Sequence, residues 1–250
     1  MTTGDDADLE YMYLLFLAVI WTQLSGLHHA CAYEYCENKK YLCTPEPGEH
    51  IMCNLSTGME LVGVVPMTTK LKNKFIQLHD KCRNEIACGE VKDSTGKLFP
   101  KATRMRNLIW DYELAYIAQV HAERCHMHHD FCRNTDRFPI SGQNLYFSSF
   151  SEPGRSLMNE VNRSVILWFD EHNLIKDGFD HNYAMLFRHA VGHFTVMVND
   201  RVSRIGCAMT YCINNTIYAD GDAKSKCDEW ETTPSSEYSC LCHNNGKIFG

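Results

Sequence analysis

The chain of 250 residues contains no block of basic residues. Lys and Arg number 24 against 31 Asp and Glu, giving a net charge of −7 and a pI near 6.0. With nothing to neutralise a run of phosphates, this balance argues against nucleic acid as a partner. A membrane-spanning helix needs about 20 apolar residues. The run Met12–Trp21 has only ten, and no later segment is more apolar. No two cysteines are spaced CxxC, the usual half-site for structural zinc. The GxSxG of a nucleophile elbow and the HExxH of a zincin are both absent. His189-Ala-Val-Gly-His193 has the zincin spacing but lacks the glutamate that acts as base. Internal repeats and low-complexity tracts are also lacking. With 44% hydrophobic and 22% charged residues the chain can bury a core, so disorder is excluded as its main state.

What the chain has in excess is cysteine, 13 in all. Without metal-type spacing, so many cysteines read as disulfides, and disulfides place a protein outside the cytosol. The N-terminus agrees. Met12–Trp21 suits a signal-peptide core, although acidic residues precede it and the first basic residue is Lys39. Met12 is an alternative start that would remove those acids. Ala30-Cys31-Ala32 fits a cleavage site, which defines residues 1–32 as a leader and leaves 12 cysteines, an even number. An uncleaved anchor is the alternative. Sequons at Asn54, Asn162 and Asn214 are consistent with secretion and mark expected glycosylation sites.

Along the mature chain, residues 33–67 are rich in Cys, Pro and Gly without helical periodicity, and read as a stapled arm. Leu71, Phe75, Leu78, Cys82 and Ile86 then recur at steps of three and four, predicting a helix from Thr69 that Gly89 can end. Further helices are expected over about 111–125 and 161–173. His193–Val198, Ile205–Tyr211 and Thr216–Ala219 read as strands. Helices early and strands late predict an α+β domain over 68–222, followed by a second cysteine-rich segment over 223–250.

Several motifs in this order resemble the CAP superfamily, in particular its insect antigen 5-like, or venom-allergen-like, branch. His79–Gly89 is similar to that family's HNxxRNxIAxG, and Met105–Ala118 with Trp110-Asp-Tyr-Glu-Leu-Ala to its WDxELA helix. His129-Asp130-Phe-Cys132-Arg-Asn134-Thr135 is similar to HDxCRNT. Ser141–Leu145 matches SGQNL, Gly192–Val198 resembles GHFTxMVW, and Gly206-Cys-Ala208 matches GCA. Asp80 stands where the family usually has Asn, and Val196 and Asn199 also depart from its pattern.

The resemblance implies a three-layer α-β-α sandwich and secretion, but no single activity. It implies a polar cleft lined by His129, Gln143, Glu171 and His193. Two imidazoles and a carboxylate, His129, His193 and Glu171, are an ordinary ligand set for zinc or another divalent cation. Gln143 lines the same cleft without adding charge. The alternative is a buried polar network with a structural role only. The expected function is non-enzymatic binding of a lipid or sterol, another small molecule, a divalent cation or an extracellular protein. A metal-dependent hydrolase is the rival, and no catalytic residue is assigned. Arg83 and Asp80 are expected to tie the first helix to a neighbouring loop. The resemblance also implies disulfides Cys36–Cys53, Cys43–Cys132 and a bridge from Cys207 to Cys242 or Cys240. Cys212–Cys227 could close a hairpin. Cys82 and Cys88 are too far apart to pair within one regular helix, and Cys125 is left for Cys240 or Cys242.

Overall fold

The computed structural model describes residues 34–43, 49–149, 156–175, 191–213, 216–219 and 235–242. The leader, Cys31, His189, Asn214 and Cys227 lie outside the described residues. Helix α1 spans Thr69–Ala87 and starts because the Thr68 hydroxyl accepts the Leu71 N–H at 3.3 Å. It ends at Gly89, whose φ of +69° is a left-handed conformation that glycine adopts without strain. Helix α2 spans Tyr112–Ala122, with Asp111 accepting the Glu113 and Leu114 N–H groups. The same Asp111 carboxylate takes a two-pronged grip from Arg137, and Tyr35 of the N-terminal arm bonds Glu113 at 2.6 Å. One acid therefore caps the helix and ties it to a loop. Helix α3 spans Leu157–Asp170 and runs into a short 3₁₀ turn, Glu171–Leu174. Helix α4 is Gly192–Met197.

The strands are β1 Leu61–Val64, β2 Ile109–Trp110, β3 Tyr146–Ser149, β4 Arg204–Ile205, β5 Met209–Cys212 and β6 Thr216–Ala219. Four of them form an antiparallel sheet in the order β1-β5-β6-β3, while β2 and β4 pair in parallel. Strand β5 shows how the sheet lies between two helical layers, because successive side chains point to opposite faces. Met209 and Tyr211 join the main core with α1, α3 and α4. Thr210 donates to the Ala122 carbonyl of α2, and Cys212 is bridged to Cys125 just beyond that helix. The main core centres on Phe75, Val161, Val165, Trp168, Phe194 and Met197. A second cluster, with Tyr35, Ile51, Met52, Ile117 and Val120, seats the arm on the outer side of α2. The chain is thus the α+β sandwich that the motif pattern implied.

Buried polar side chains hold the layers in place. The Arg83 guanidinium, wholly buried on α1, donates to the carbonyls of Arg106, Met197, Asn199 and Val202 at 2.7–3.1 Å. Beside it Asp80 accepts the Leu108 N–H at 2.8 Å. Burial pushes the Asp80 carboxyl up to about 7, against the pull of the neighbouring Arg83 charge. Both residues tie α1 to adjacent loops, as the motif suggested.

Two strand expectations are corrected. His193–Val198 is helical: Phe194, Thr195 and Met197 are buried together, a spacing that fits a turn of helix and not an alternating strand. Its β-branched composition is overridden by that packing. The stretch Ile205–Tyr211 is two strands, because Gly206 between them rests directly on the first turn of α2.

The disulfides divide likewise. Cys36 is bridged to Cys53 and Cys43 to Cys132, which staples the arm to the domain. The expected Cys212–Cys227 bridge is replaced by Cys125–Cys212, since β5 runs alongside the end of α2 and leaves the two Cα atoms 5.9 Å apart. Cys240 pairs with Cys88, not with Cys207 or Cys125. Its N–H bonds the Asn84 side chain of α1, which sets it beside the helix end where Cys88 lies. Cys242 is also bridged and Cys207 lies buried in the main core, so of the two partners expected for Cys207 only Cys240 is excluded.

Candidate functional site

The four side chains singled out by sequence come from four separate places. His129 is on the loop after α2, three residues before the Cys132 staple. Gln143 is on the segment leading into β3, Glu171 opens the 3₁₀ turn after α3, and His193 is in the first turn of α4. The structure brings them together as two pairs. His129 Nδ1 is 2.7 Å from Gln143 Oε1, and His193 Nδ1 is 2.6 Å from Glu171 Oε1. Adjacent residues link the pairs: while Gln143 holds the His129 ring, the Asn144 side chain donates to the His193 carbonyl at 3.1 Å.

The hydrogen-bond roles follow from what each atom can do. Gln143 Nε2 donates to Asp130 Oδ2 at 2.8 Å, which fixes the amide with Oε1 toward His129. An amide oxygen only accepts, so His129 Nδ1 carries the proton. Glu171 likewise obliges His193 to donate through Nδ1. In both neutral rings the lone pair is therefore on Nε2. Glu171 has a second task, since its other oxygen accepts the Phe194 N–H at 3.1 Å. Asp130 is held in turn by Arg133, 2.9 Å away. The Trp168 indole lies nearly parallel to the His193 ring, centroids 6.2 Å apart, and is pinned by its own N–H to the Leu145 carbonyl.

Among the described residues, no three His, Cys, Asp or Glu side chains are placed to hold a metal ion together. Glu171 orients His193 and does not complete a three-ligand set with the histidines. By donor type, a cation taken by the two imidazole nitrogens would need water or a ligand's oxygen to complete its coordination, unlike a closed four-ligand cage. Gln143 is buried, His193 and Glu171 are partly exposed, and His129 is exposed, so the site opens at the surface. Asp130, Arg133 and Asn144 join the site through the fold, although each stands inside a motif that the sequence displays.

Gln143 cannot become an acid without cost. In Gln143→Glu two carboxylates would face each other where Asp130 now accepts an N–H, and such a pair shares a proton. The variant should unfold at a lower temperature than wild type at pH 8 and approach it at pH 5. Differential scanning fluorimetry at the two pH values checks this, and equal deficits at both would contradict it.

Of the sequons, Asn54 is exposed on a loop, with its side chain accepting the Ser56 N–H. Asn162 is half-buried on α3, and the Ser164 of its sequon is buried with its hydroxyl on the Val161 carbonyl. Asn54 is the better placed acceptor.

A disulfide-stapled α-β-α domain with two linked histidine pairs at one surface defines the class of this protein. The chain belongs to the CAP family, the cysteine-rich secretory protein family, whose model matches residues 76–219. It is 34% identical over 245 residues to Venom allergen-1 of Aedes aegypti, covering 88% of this chain and 91% of that one. It is 36% identical over 187 residues to the Antigen 5 like allergen Cul n 1 of Culicoides nubeculosus, covering 68% and 80%. Among solved structures, BmVAL-1 matches with a TM-score of 0.60 at 22% identity, over 71% of this chain and 96% of that one. NaASP2, crystallised with Zn2+, matches with a TM-score of 0.56 at 23% identity, over 70% and 96%. This is therefore an antigen 5-like member of the family.

Proposed function

We propose that this protein acts in the extracellular space by binding rather than by turnover, and that its site engages a divalent cation such as zinc through Nε2 of His129 and of His193. One observation carries the reading: both imidazoles are anchored at Nδ1 by an oxygen, which leaves Nε2 as the ligand atom of each. Metal-binding histidines are ordinarily oriented in this way. A bound cation would supply a positive centre with open positions for water or a ligand's oxygen. The chain's residues hold the two rings in place: Gln143 and Asp130 fix one tautomer, and Glu171 fixes the other. The solved relative NaASP2 was crystallised with Zn2+, which supports the choice of ion.

Turnover finds less support. Both Glu171 oxygens already hold protein N–H groups, and the Ser141 hydroxyl is given to the Phe138 carbonyl and not to a histidine. Secretion is supported by the bridged cysteines, by the venom allergen relatives, and by the leader read in the sequence. No helix among the described residues is long and apolar enough to cross a membrane.

Calorimetric titration with Zn2+ at pH 7.5 tests the proposal. Wild type should bind one ion. His129→Ala and His193→Ala should each abolish the signal, and Glu171→Gln should weaken it by about 10- to 100-fold through loss of ring orientation. Equal binding by wild type and His193→Ala would overturn the cation reading. A hydrolytic activity present in wild type and lost in Glu171→Gln would overturn the non-catalytic one.

A further inference from the structure

The segment between Cys125 and Cys132 is clamped at both ends. Cys125, in a left-handed conformation with φ +55°, is bridged to Cys212, and Cys132 is bridged to Cys43. Between the clamps are His126, His128, His129 and Asp130, so the loop carries one half of the candidate site.

What holds the middle of this loop is a pair of histidines that the site does not use. His121, buried on α2, has Nε2 2.9 Å from the His128 carbonyl. A carbonyl only accepts, so Nε2 carries the proton and Nδ1 is bare. His126 Nδ1 accepts the His128 N–H at 3.3 Å and must itself be unprotonated to do so. The His121 and His126 rings meet edge to face at 5.4 Å, and His126 and His128 are 5.7 Å apart. Protonation of His126 removes its acceptor for the His128 N–H, and protonation of His121, which keeps its Nε2 donor, places a buried charge against the His126 ring.

We propose that this loop is an acid-released latch on the histidine site: protonation of His121 and His126 frees residues 126–131, and with them His129 and Asp130, while the two disulfides keep the ends in place.

The surroundings favour release over accommodation. Burial holds the His121 imidazole below its ordinary range, and His126 and Arg133 push it the same way. The His128 carbonyl and Asp130, 4.0 Å away, pull only partly against this. Burial also lowers His126, with Arg124 and His128 adding repulsion and Asp130 opposing. Arg124, His128, Asp130 and Arg133 are the charged or titratable groups facing the pair. Helix α2 supplies His121 itself, and β5 reaches this end of the helix through Thr210 on the Ala122 carbonyl and Cys212 on Cys125, which carry no charge. Because these two groups bind protons more tightly once released, the closed loop is favoured at neutral pH, and that preference is lost as the pH falls below the free imidazole value.

The consequence for the site rests on the binding role proposed above, but the test needs no cation. Hydrogen exchange of the amides of residues 127–131 is followed at pH 7.5 and pH 5.0, corrected for intrinsic exchange. In wild type the opening constant should rise by about 10- to 1,000-fold, at most tenfold per pH unit below the free imidazole value for each of the two protons taken up. In His121→Gln/His126→Asn the Gln amide still donates to the His128 carbonyl, the Asn oxygen still accepts the His128 N–H, and neither titrates. Its loop should remain protected at both pH values. His126→Asn alone should show a shallower rise than wild type, which covers the case of a double variant that does not fold. A wild-type loop equally protected at both pH values would overturn the proposal. So would a double variant, or a single one, that opens as steeply as wild type. Opening as expected with a blank Zn2+ titration would sink the cation reading and leave the latch standing.

Discussion

Arg83→Ala should not be secreted as a folded protein, or should melt more than about 10 °C below wild type. The guanidinium is wholly buried and serves the carbonyls of Arg106, Met197, Asn199 and Val202. Alanine removes that donor from all four, and although the Asn199 carbonyl keeps the Val202 N–H, the Arg106, Met197 and Val202 carbonyls lose it in the interior. Each unsatisfied buried group costs about 1–3 kcal/mol, and the total stability of a domain is about 5–15 kcal/mol. Even partial relaxation therefore leaves a loss of about 4 kcal/mol, and in a domain of this size each kcal/mol moves the midpoint by about 2–4 °C. Arg83→Lys should recover only part of the loss. An ammonium has three donors around one atom and cannot reach carbonyls arranged about a planar fork. Secreted yield and thermal unfolding of the two variants measure this. An Arg83→Ala protein within about 1 kcal/mol of wild type would show that the hub is not what joins α1 to the 197–202 turn.

Gly206→Ala should be nearly as damaging, for a steric reason. A Cβ at this position would lie 2.1 Å from the Ala115 nitrogen and 2.4 Å from the Leu114 carbonyl carbon. These are main-chain atoms of α2 and cannot rotate aside. The helix cannot easily back away either, because Asp111 at its start is gripped by Arg137 and its N–H bonds the Ile205 carbonyl at 2.8 Å. We expect a loss of about 3 kcal/mol or more, the scale of forced overpacking in a close-packed interior. Gly192→Ala is the matched control. It lies in another family motif but has nothing among the described residues within 4 Å of its would-be Cβ, and an ordinary φ. In α4 it should be neutral or stabilise by up to about 1 kcal/mol. Chemical denaturation of both variants decides between them. Equal losses would mean that the motif glycines are not distinguished by the space around them.

How much of this was legible in the sequence follows from which forces act locally. Helices α1 to α3 are set by apolar spacing and by caps such as Thr68 and Asp111, which act within a few residues, so their positions were readable. Helix α4 reads as a strand in the sequence because His193–Val198 carries β-prone residues, and only the burial of Phe194 beside Met197 makes it helical. The short strands β1 and β3 have too few residues to show a period, and they exist through pairing with β5 and β6. Bridges such as Cys125–Cys212 and Cys88–Cys240 depend on how distant segments pack, which spacing along the chain does not encode. At the site the motifs named the histidines, but not their division into pairs. That division depends on Gln143 turning its amide to satisfy Asp130 and on Glu171 serving both His193 and the Phe194 N–H.

The measurement that tests the account most directly is native mass spectrometry of the protein secreted from insect cells without added metal, with His193→Ala alongside. The account predicts a chain that has lost its leader, with its bridges intact and a metal-sized adduct in wild type that is missing from the variant. A bare mass in both, or an adduct indifferent to His193, would contradict it and leave the two histidine pairs as architecture.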